Sequence, residues 1–276
     1  MYDKVKLWTA RTRETPDVSK FLDRAKDQID HETGEVCTFG SLEGLKVSIY
    51  TGGISIIGSL AKYLYPNNIY PLDRHTTAQA IEKLSDSLHI NLNDAKVTGL
   101  EFGTQFVMAH PVENYLSKLG DMPKLLRYHF DVGTLYYKPK GKQQLKVFAF
   151  YDKKADAVAK NMALPVGFDE ANLLKYEMRL NRRLPQQLGV SEVTASTLSE
   201  NLFYKTVSDA FYVFVARLMT QSDPTQITDF LEELKDAKVF DDRKCYSRLK
   251  KKIQDVSTKA VLKISNELIK ELDDDI

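Results

Sequence analysis

The chain has 276 residues, 43% of them hydrophobic and 28% charged, with 39 Lys and Arg against 38 Asp and Glu. That is enough apolar material for a substantial core. The near-neutral balance excludes a wholesale basic protein but allows a local basic patch. Two widely separated cysteines, Cys37 and Cys245, exclude a disulfide scaffold and a cysteine-built zinc centre, and they point to the cytoplasm.

The opening MYDKVKLWTARTRE has no apolar h-region, so no signal peptide is expected. The most apolar runs, at 54–61 and 210–219, are too short to span a bilayer. Residues 4–9 alternate and predict a strand. The charged stretch 11–35 predicts helix plus loop. Residues 45–50 and 54–58 predict two strands around a Thr-Gly-Gly turn. A helix follows over 76–90, with Ala80, Ile81, Leu84 and Leu88 on one face.

Residues 95–108 predict a strand, and 110–120 a helix with Pro111 near its first turn and Gly120 at its end. Strands are expected at 134–138 and 145–151, joined by a Pro-Lys-Gly turn, and at 172–183. Thr197 and Glu200 have capping-box spacing and predict the start of a long helix lined by Phe203, Val207, Ala210, Phe211, Phe214 and Leu218. QSDPTQ at 221–226 predicts a boundary, giving a domain over 1–220 and a charged helical extension over 221–276. Mixed runs of strands and helices imply an α+β class, with a largely antiparallel sheet and packed helices.

Three strands carry the chemistry. At 172–183, Leu174, Tyr176, Met178 and Leu180 share one face, and Lys175, Glu177, Arg179 and Asn181 the other. A solvent-facing charged ladder is the simpler account of that second face. In the strand at 97–107, Val97, Gly99, Glu101, Gly103, Gln105 and Val107 share a face. Two glycines flanking Glu101 imply that something approaches the backbone closely there, and a divalent ion with a phosphate would fit.

Tyr151 and Lys153 fall on one side of the third strand if it stays extended. A phenol is a poor nucleophile until its phenolate is stabilised, and a lysine and a metal-bound phosphate would both help. Carboxylate oxygens suit Mg²⁺ or Mn²⁺. The five histidines are scattered, which disfavours a histidine-built metal site, and no Walker loop or nucleophile elbow occurs.

The tyrosine strand also lies in a basic region. Between Thr134 and Arg183 the chain has eight Lys and three Arg against five acids. Lys138, Lys140, Lys142 and Lys146 crowd the turn, Tyr136 and Tyr137 stand beside them, and Arg182 and Arg183 close the run. Cations interleaved with aromatics suit single-stranded DNA. A second cluster, from Arg243 to Lys252, is a candidate grip on duplex DNA or a solvated helix face.

The order of these pieces resembles the gene II/X replication initiators of filamentous phages. It is more distantly similar to initiators of some rolling-circle plasmids. The matching segments are KVSIYTGGISIIGSLAKYL (46–64), VTGLEFGTQFV (97–107), LKVFAFYDKKAD (145–156) and LLKYEMRLNRRLPQQLG (173–189). The resemblance implies a metal-dependent endonuclease that nicks and rejoins an origin strand through a covalent 5′-phosphotyrosine, and so starts rolling-circle replication. It places the nucleophile at Tyr151, its lysine at Lys153, an arginine at Arg179, and Mg²⁺ or Mn²⁺ ligands at Glu101 and Glu177. Glu101 stands where the phage proteins usually have Asp.

The implied partners are single-stranded or melted origin DNA and the host helicase and polymerase, with no membrane and with a homodimer allowed. The alternatives are a non-catalytic origin-binding replication protein, in which Tyr151 only packs, and a metal hydrolase of small phosphoesters.

Overall fold

The structure, a computed structural model, describes residues 2–219 apart from 66, 71, 131, 132, 142, 143, 166 and 169. The predicted break at 221–226, the helical extension, its basic cluster and Lys142 lie outside the described residues. The chain forms two compact units. The first comprises Met1–Thr104, Gly141–Ala149 and Tyr176–Ser208. The second comprises Gln105–Lys140, Phe150–Lys175 and, within the described residues, 209–219.

In the first unit the strands are β1 (Tyr2–Ala10), β2 (Asp23–Ile29), β3 (Val36–Leu42), β4 (Leu45–Tyr50), β5 (Gly53–Ser59) and the first part of β6 (Lys96–Met108). They are hydrogen-bonded in the order β2-β3-β4-β5-β1-β6, and every one of these pairings is antiparallel. The α+β reading with an antiparallel sheet is therefore correct. Alternation decides the two faces. Val5, Leu7, Leu45, Val47, Ile49, Ile54 and Ile56 are all at most 5% exposed. Their neighbours Lys6, Lys46 and Ser48 keep contact with solvent.

Helices α1 (Leu60–Leu64), α2 (Arg74–Leu88) and the short α5 (Leu184–Leu188) belong to this unit, and α1 lies against β1 and α2. The α2 residues Ala80, Ile81, Leu84 and Leu88 are buried, as the spacing predicts. Its start is a capping box. Thr76 N donates to Asp73 Oδ1 (2.8 Å), and Asp73 N donates to Thr76 Oγ1 (2.9 Å). His89, in the left-handed region at φ 53°, ends it.

Two expectations fail here. Residues 11–35 hold a 3-10 turn at Val18–Phe21 and the strand β2, not a helix. Every residue of β2 is exposed, so neither face has to be apolar and no alternation marks the strand. The Thr197–Glu200 box is also absent. Thr197 Oγ1 accepts from Thr194 N and donates to Thr194 O, and residues Ser196–Ser199 form a 3-10 turn. The long helix, α6, starts after it and runs over Asn201–Met219.

The second unit contains the rest of β6, α3 (Val112–Leu116), β7 (Leu125–Phe130), β8 (Thr134–Pro139), the end of β9 (Lys146–Asp152), α4 (Lys153–Ala159) and the start of β10 (Asn172–Leu180). Its strands follow the order β6-β10-β9-β8-β7. The structure shortens the predicted 110–120 helix to one turn and adds β7, which pairs antiparallel with β8. Phe211, Phe214 and Leu218 of α6 are buried, with the Phe214 and Tyr137 rings 5.7 Å apart. No helix among the described residues is long and apolar enough to cross a membrane.

The capping box makes a direct prediction. Asp73→Ala removes the acceptor for the Thr76 amide and lowers unfolding free energy by about 1 kcal/mol. Urea denaturation with an unchanged m-value checks it.

Candidate functional site

In the first unit, the predicted carboxylates of β6 and β10 come together. Glu177 is 2% exposed, so β10 is not a solvated charged ladder. The guanidinium of Arg179 donates through Nε (3.1 Å) and Nη2 (2.8 Å) to Glu177 Oε2. The same Nε stands 3.9 Å from Glu101 Oε1. Arg179 thus sits between the two acids and offsets the cost of burying Glu177.

Glu101 is ionised at a cost. Its burial pushes the carboxyl above the usual range, and the Glu177 charge pushes it further. Arg179 and Lys4 pull it down without cancelling the rise, and Asp3 adds to it.

The bulges in β1 and β6 explain why these particular groups meet. Tyr2 pairs with Phe102 and Val5 with Leu100, so Asp3 and Lys4 together oppose Glu101. Such bulges re-aim side chains. Lys4 Nζ reaches to 3.7 Å from Glu101 Oε1. Asp3, 6% exposed, accepts from Ser59 Oγ (2.5 Å) and Asn68 Nδ2 (3.0 Å). Sequence reading missed Asp3 and Lys4, yet a signal exists: Tyr2, Val5 and Leu7 are spaced by three and then two. Val97, Leu100 and Phe102 repeat that spacing. There the bulge at Thr98 pairs Val97 with Leu7, which moves Val97 to the core face and off the Glu101 face where alternation placed it.

The glycines flanking Glu101 do mark a close approach, but by protein atoms. A Cβ on Gly103 would meet Tyr176 O at 2.7 Å and Glu177 Cγ at 3.0 Å. A Cβ on Gly99 would meet Lys6 Cδ at 2.7 Å. Gly103 therefore makes room for Glu177 itself.

Tyr151 and Lys153 belong to the second unit. Tyr151 is 7% exposed near the end of β9. The strand stops at Asp152, whose side chain caps α4 by accepting from Lys154 N (2.8 Å) and Ala155 N (3.0 Å). Lys153 is therefore helical and does not continue the alternation of Tyr151. It is 1% exposed, with Nζ 3.2 Å from Asp156 Oδ2. Burial pushes the Asp156 carboxyl up, but hydrogen bonds and charge from Lys160 and Lys153 outweigh it and hold the carboxyl low.

The basic residues divide between environments. Lys138 is part-exposed, with Nζ over the Tyr136 ring at 4.6 Å and the Tyr128 ring at 5.4 Å. Lys140 is exposed. Tyr137, on the opposite face from Tyr136, is fully buried, donates to Gly120 O (2.7 Å), and has its phenol pushed by burial up to about 12. Tyr176 is also buried, which raises its phenol well above the ordinary value. In the first unit Lys146 is half-buried, and burial lowers its ammonium. Arg182 and Arg183 lie beyond the end of β10, both exposed, and line a cavity of about 560 Å³ with Lys96 and Thr98.

Among the described residues no three His, Cys, Asp or Glu side chains are grouped as a complete metal cage. Mg²⁺ commonly takes one or two carboxylates and completes its shell with water and substrate phosphate. Glu101 and Glu177 fit that role through their hard oxygen donors. No protein-family model matches the chain, and comparison with curated proteins gives no match.

Two predictions separate packing from function. Gly103→Ala must displace backbone and costs about 1–3 kcal/mol, whereas Gly99→Ala meets only a flexible lysine and costs less. Thermal and urea unfolding rank the two. Glu101→Gln should raise the melting temperature at pH 7, because a raised carboxyl pKa makes the ionised form costly in the folded state. That gain should shrink as pH falls through the raised folded pKa and vanish below the unfolded one. A carboxylate that costs stability is expected of a functional group.

Proposed function

We propose that the chain is a metal-dependent DNA nickase and strand transferase that initiates rolling-circle replication of a phage or small plasmid. The observation that carries this reading is the buried Glu177 beside a Glu101 whose ionisation is disfavoured, on one face of an antiparallel sheet. A folded protein keeps such like-charged acids together at a cost, and a cation or phosphate chemistry gives them a use.

In this reading the Tyr151 oxygen attacks the scissile phosphorus. The P–O3′ bond breaks, the phenolic proton passes to the departing 3′ oxygen, and a 5′-phosphotyrosine remains. The bond energy is conserved, so the strand can be resealed by the reverse transfer. Glu101 and Glu177 would hold Mg²⁺ or Mn²⁺, which neutralises charge on the phosphoryl oxygens. Arg179 adds fixed positive charge beside those acids. Lys153, two residues past Tyr151 and paired with Asp156, would be the lysine that stabilises charge developing at the tyrosine oxygen. Lys138, Lys140, Arg182 and Arg183 are exposed or part-exposed cations suited to the DNA backbone.

The alternative of a non-catalytic origin-binding protein draws on one observation. Arg179 already pairs with Glu177 and stands next to Glu101, so the acids have a structural partner.

A denaturing gel decides between them. The protein is incubated with Mg²⁺ and a randomised single-stranded library labelled at the 3′ end, the end retained on a 5′-phosphotyrosine. The nickase gives a band that survives denaturation. Tyr151→Phe should abolish it while DNA binding persists. Glu177→Gln should slow its formation by about a hundredfold. A wild-type chain that binds the library without any adduct supports the origin-binding alternative.

A further inference from the structure

The sheet of the first unit has a second face, opposite the core, and strand register defines what lies on it. One row across the strands reads Lys26, Phe39, Ser48, Ser55, Trp8 and Lys96. The next reads Asp23, Ser41, Lys46, Ile57, Lys6 and Gly99. The core faces of β1, β4 and β5 are buried, whereas this face carries lysines, serines and aromatic rings that remain partly or fully exposed.

Three of the rings form a continuous patch. Trp8 and Tyr50 have centroids 5.8 Å apart, and Tyr50 and Phe39 6.3 Å apart. Phe39 is 36% exposed, which is unusual for a phenylalanine in mid-strand. Gly53 accommodates the patch, because a Cβ there would meet Trp8 Cζ2 at 2.5 Å. The lysines Lys6, Lys26, Lys46 and Lys96 surround the rings on the same face, against the one acid Asp23 in these two rows. Lys96 also lines the cavity that holds Arg182 and Arg183.

We propose that this face is a binding platform for single-stranded DNA. Bases stack on Trp8, Tyr50 and Phe39, and the backbone phosphates pair with Lys6, Lys26 and Lys46. Charge complementarity selects the occupant. An acidic protein would satisfy the lysines but leave the flat rings without flat partners. Duplex DNA would satisfy the lysines but keep its bases stacked inside. Only an unpaired strand offers phosphates and free base faces together. Glu101 stands on the same face as Gly99 and Lys6, two residues along β6, so a strand lying across the platform runs toward the carboxylates. The platform rests on the proposed DNA chemistry for its purpose, but its test does not depend on Tyr151.

Trp8 is the single tryptophan of the chain, so its fluorescence reports on the platform alone. The full-length protein is titrated with a thymidine 20-mer. Expected is saturable quenching that weakens with salt. Phe39→Ala, at an exposed position, should weaken binding about tenfold. Lys6→Ala with Lys46→Ala should weaken it further and flatten the salt dependence. Circular dichroism confirms that each variant is folded.

Three results would overturn the platform: equal quenching by a 20-base-pair duplex, equal quenching by a base-free polyphosphate, or binding seen by anisotropy with Trp8 emission unchanged. Stronger quenching by a uridine RNA 20-mer would overturn the assignment to DNA. If quenching occurs but the denaturing gel shows no adduct, the platform stands and the nickase reading fails.

Discussion

The organising constraint of the first unit is a carboxylate taken out of water. Glu177 has almost no solvent contact, and an unpaired carboxylate there would cost several kcal/mol. The structure answers with Arg179 two residues along the same strand, projecting from the same face and donating twice to one oxygen. Much else follows from that pair. Gly103 lacks a side chain because Glu177 fills its space. Glu101 feels the second acid and becomes harder to ionise. The bulge in β1 brings Lys4 opposite Glu101, adding a second cation to the cluster.

The end of β9 in the second unit is built on another principle. Tyr151 is the last buried residue of the strand, and Asp152 turns the chain directly into α4 by capping it. The helix start then buries Lys153 and supplies its counter-ion from Asp156, one turn on. A lysine placed this way is shielded from solvent and held by its ion pair. This changes the expected role of the Tyr-Asp-Lys-Lys segment. Its first lysine is structural in setting, and Lys154, the helix residue after it, is part-exposed.

What could be read from the sequence follows from what leaves a pattern. The strands β1, β4 and β5 and the helix α2 bury one face, so apolar residues repeat at their period; β10 buries both faces, yet its apolar residues still alternate with Lys175 and Glu177. Glu101 and Glu177 each stood out on the polar face of its strand, but only the resemblance to the phage initiators joined them in one site. β2 escaped because both its faces are exposed, and Thr197 escaped because its hydroxyl bonds to Thr194 instead of opening a helix. The bulges at Asp3–Lys4 and at Thr98 escaped strict alternation, although the three-then-two spacing of Tyr2, Val5 and Leu7 encodes the first. The aromatic patch of Trp8, Tyr50 and Phe39 comes from three strands far apart in sequence, and only register unites them. Tyr136 and Tyr137 looked alike in sequence, yet alternation puts one beside Lys138 and seals the other against Gly120.

In the proposed reaction a tyrosine at the end of β9 becomes covalently joined to DNA. The direct measurement is mass-spectrometric mapping of nucleotide-linked peptides after incubation with single-stranded DNA and Mg²⁺ or Mn²⁺, followed by nuclease and trypsin. The expected result is a phosphonucleotide on the tryptic peptide 147–153, at Tyr151. Attachment at Tyr136, Tyr137 or Tyr176, or no linked peptide with either metal, would contradict it.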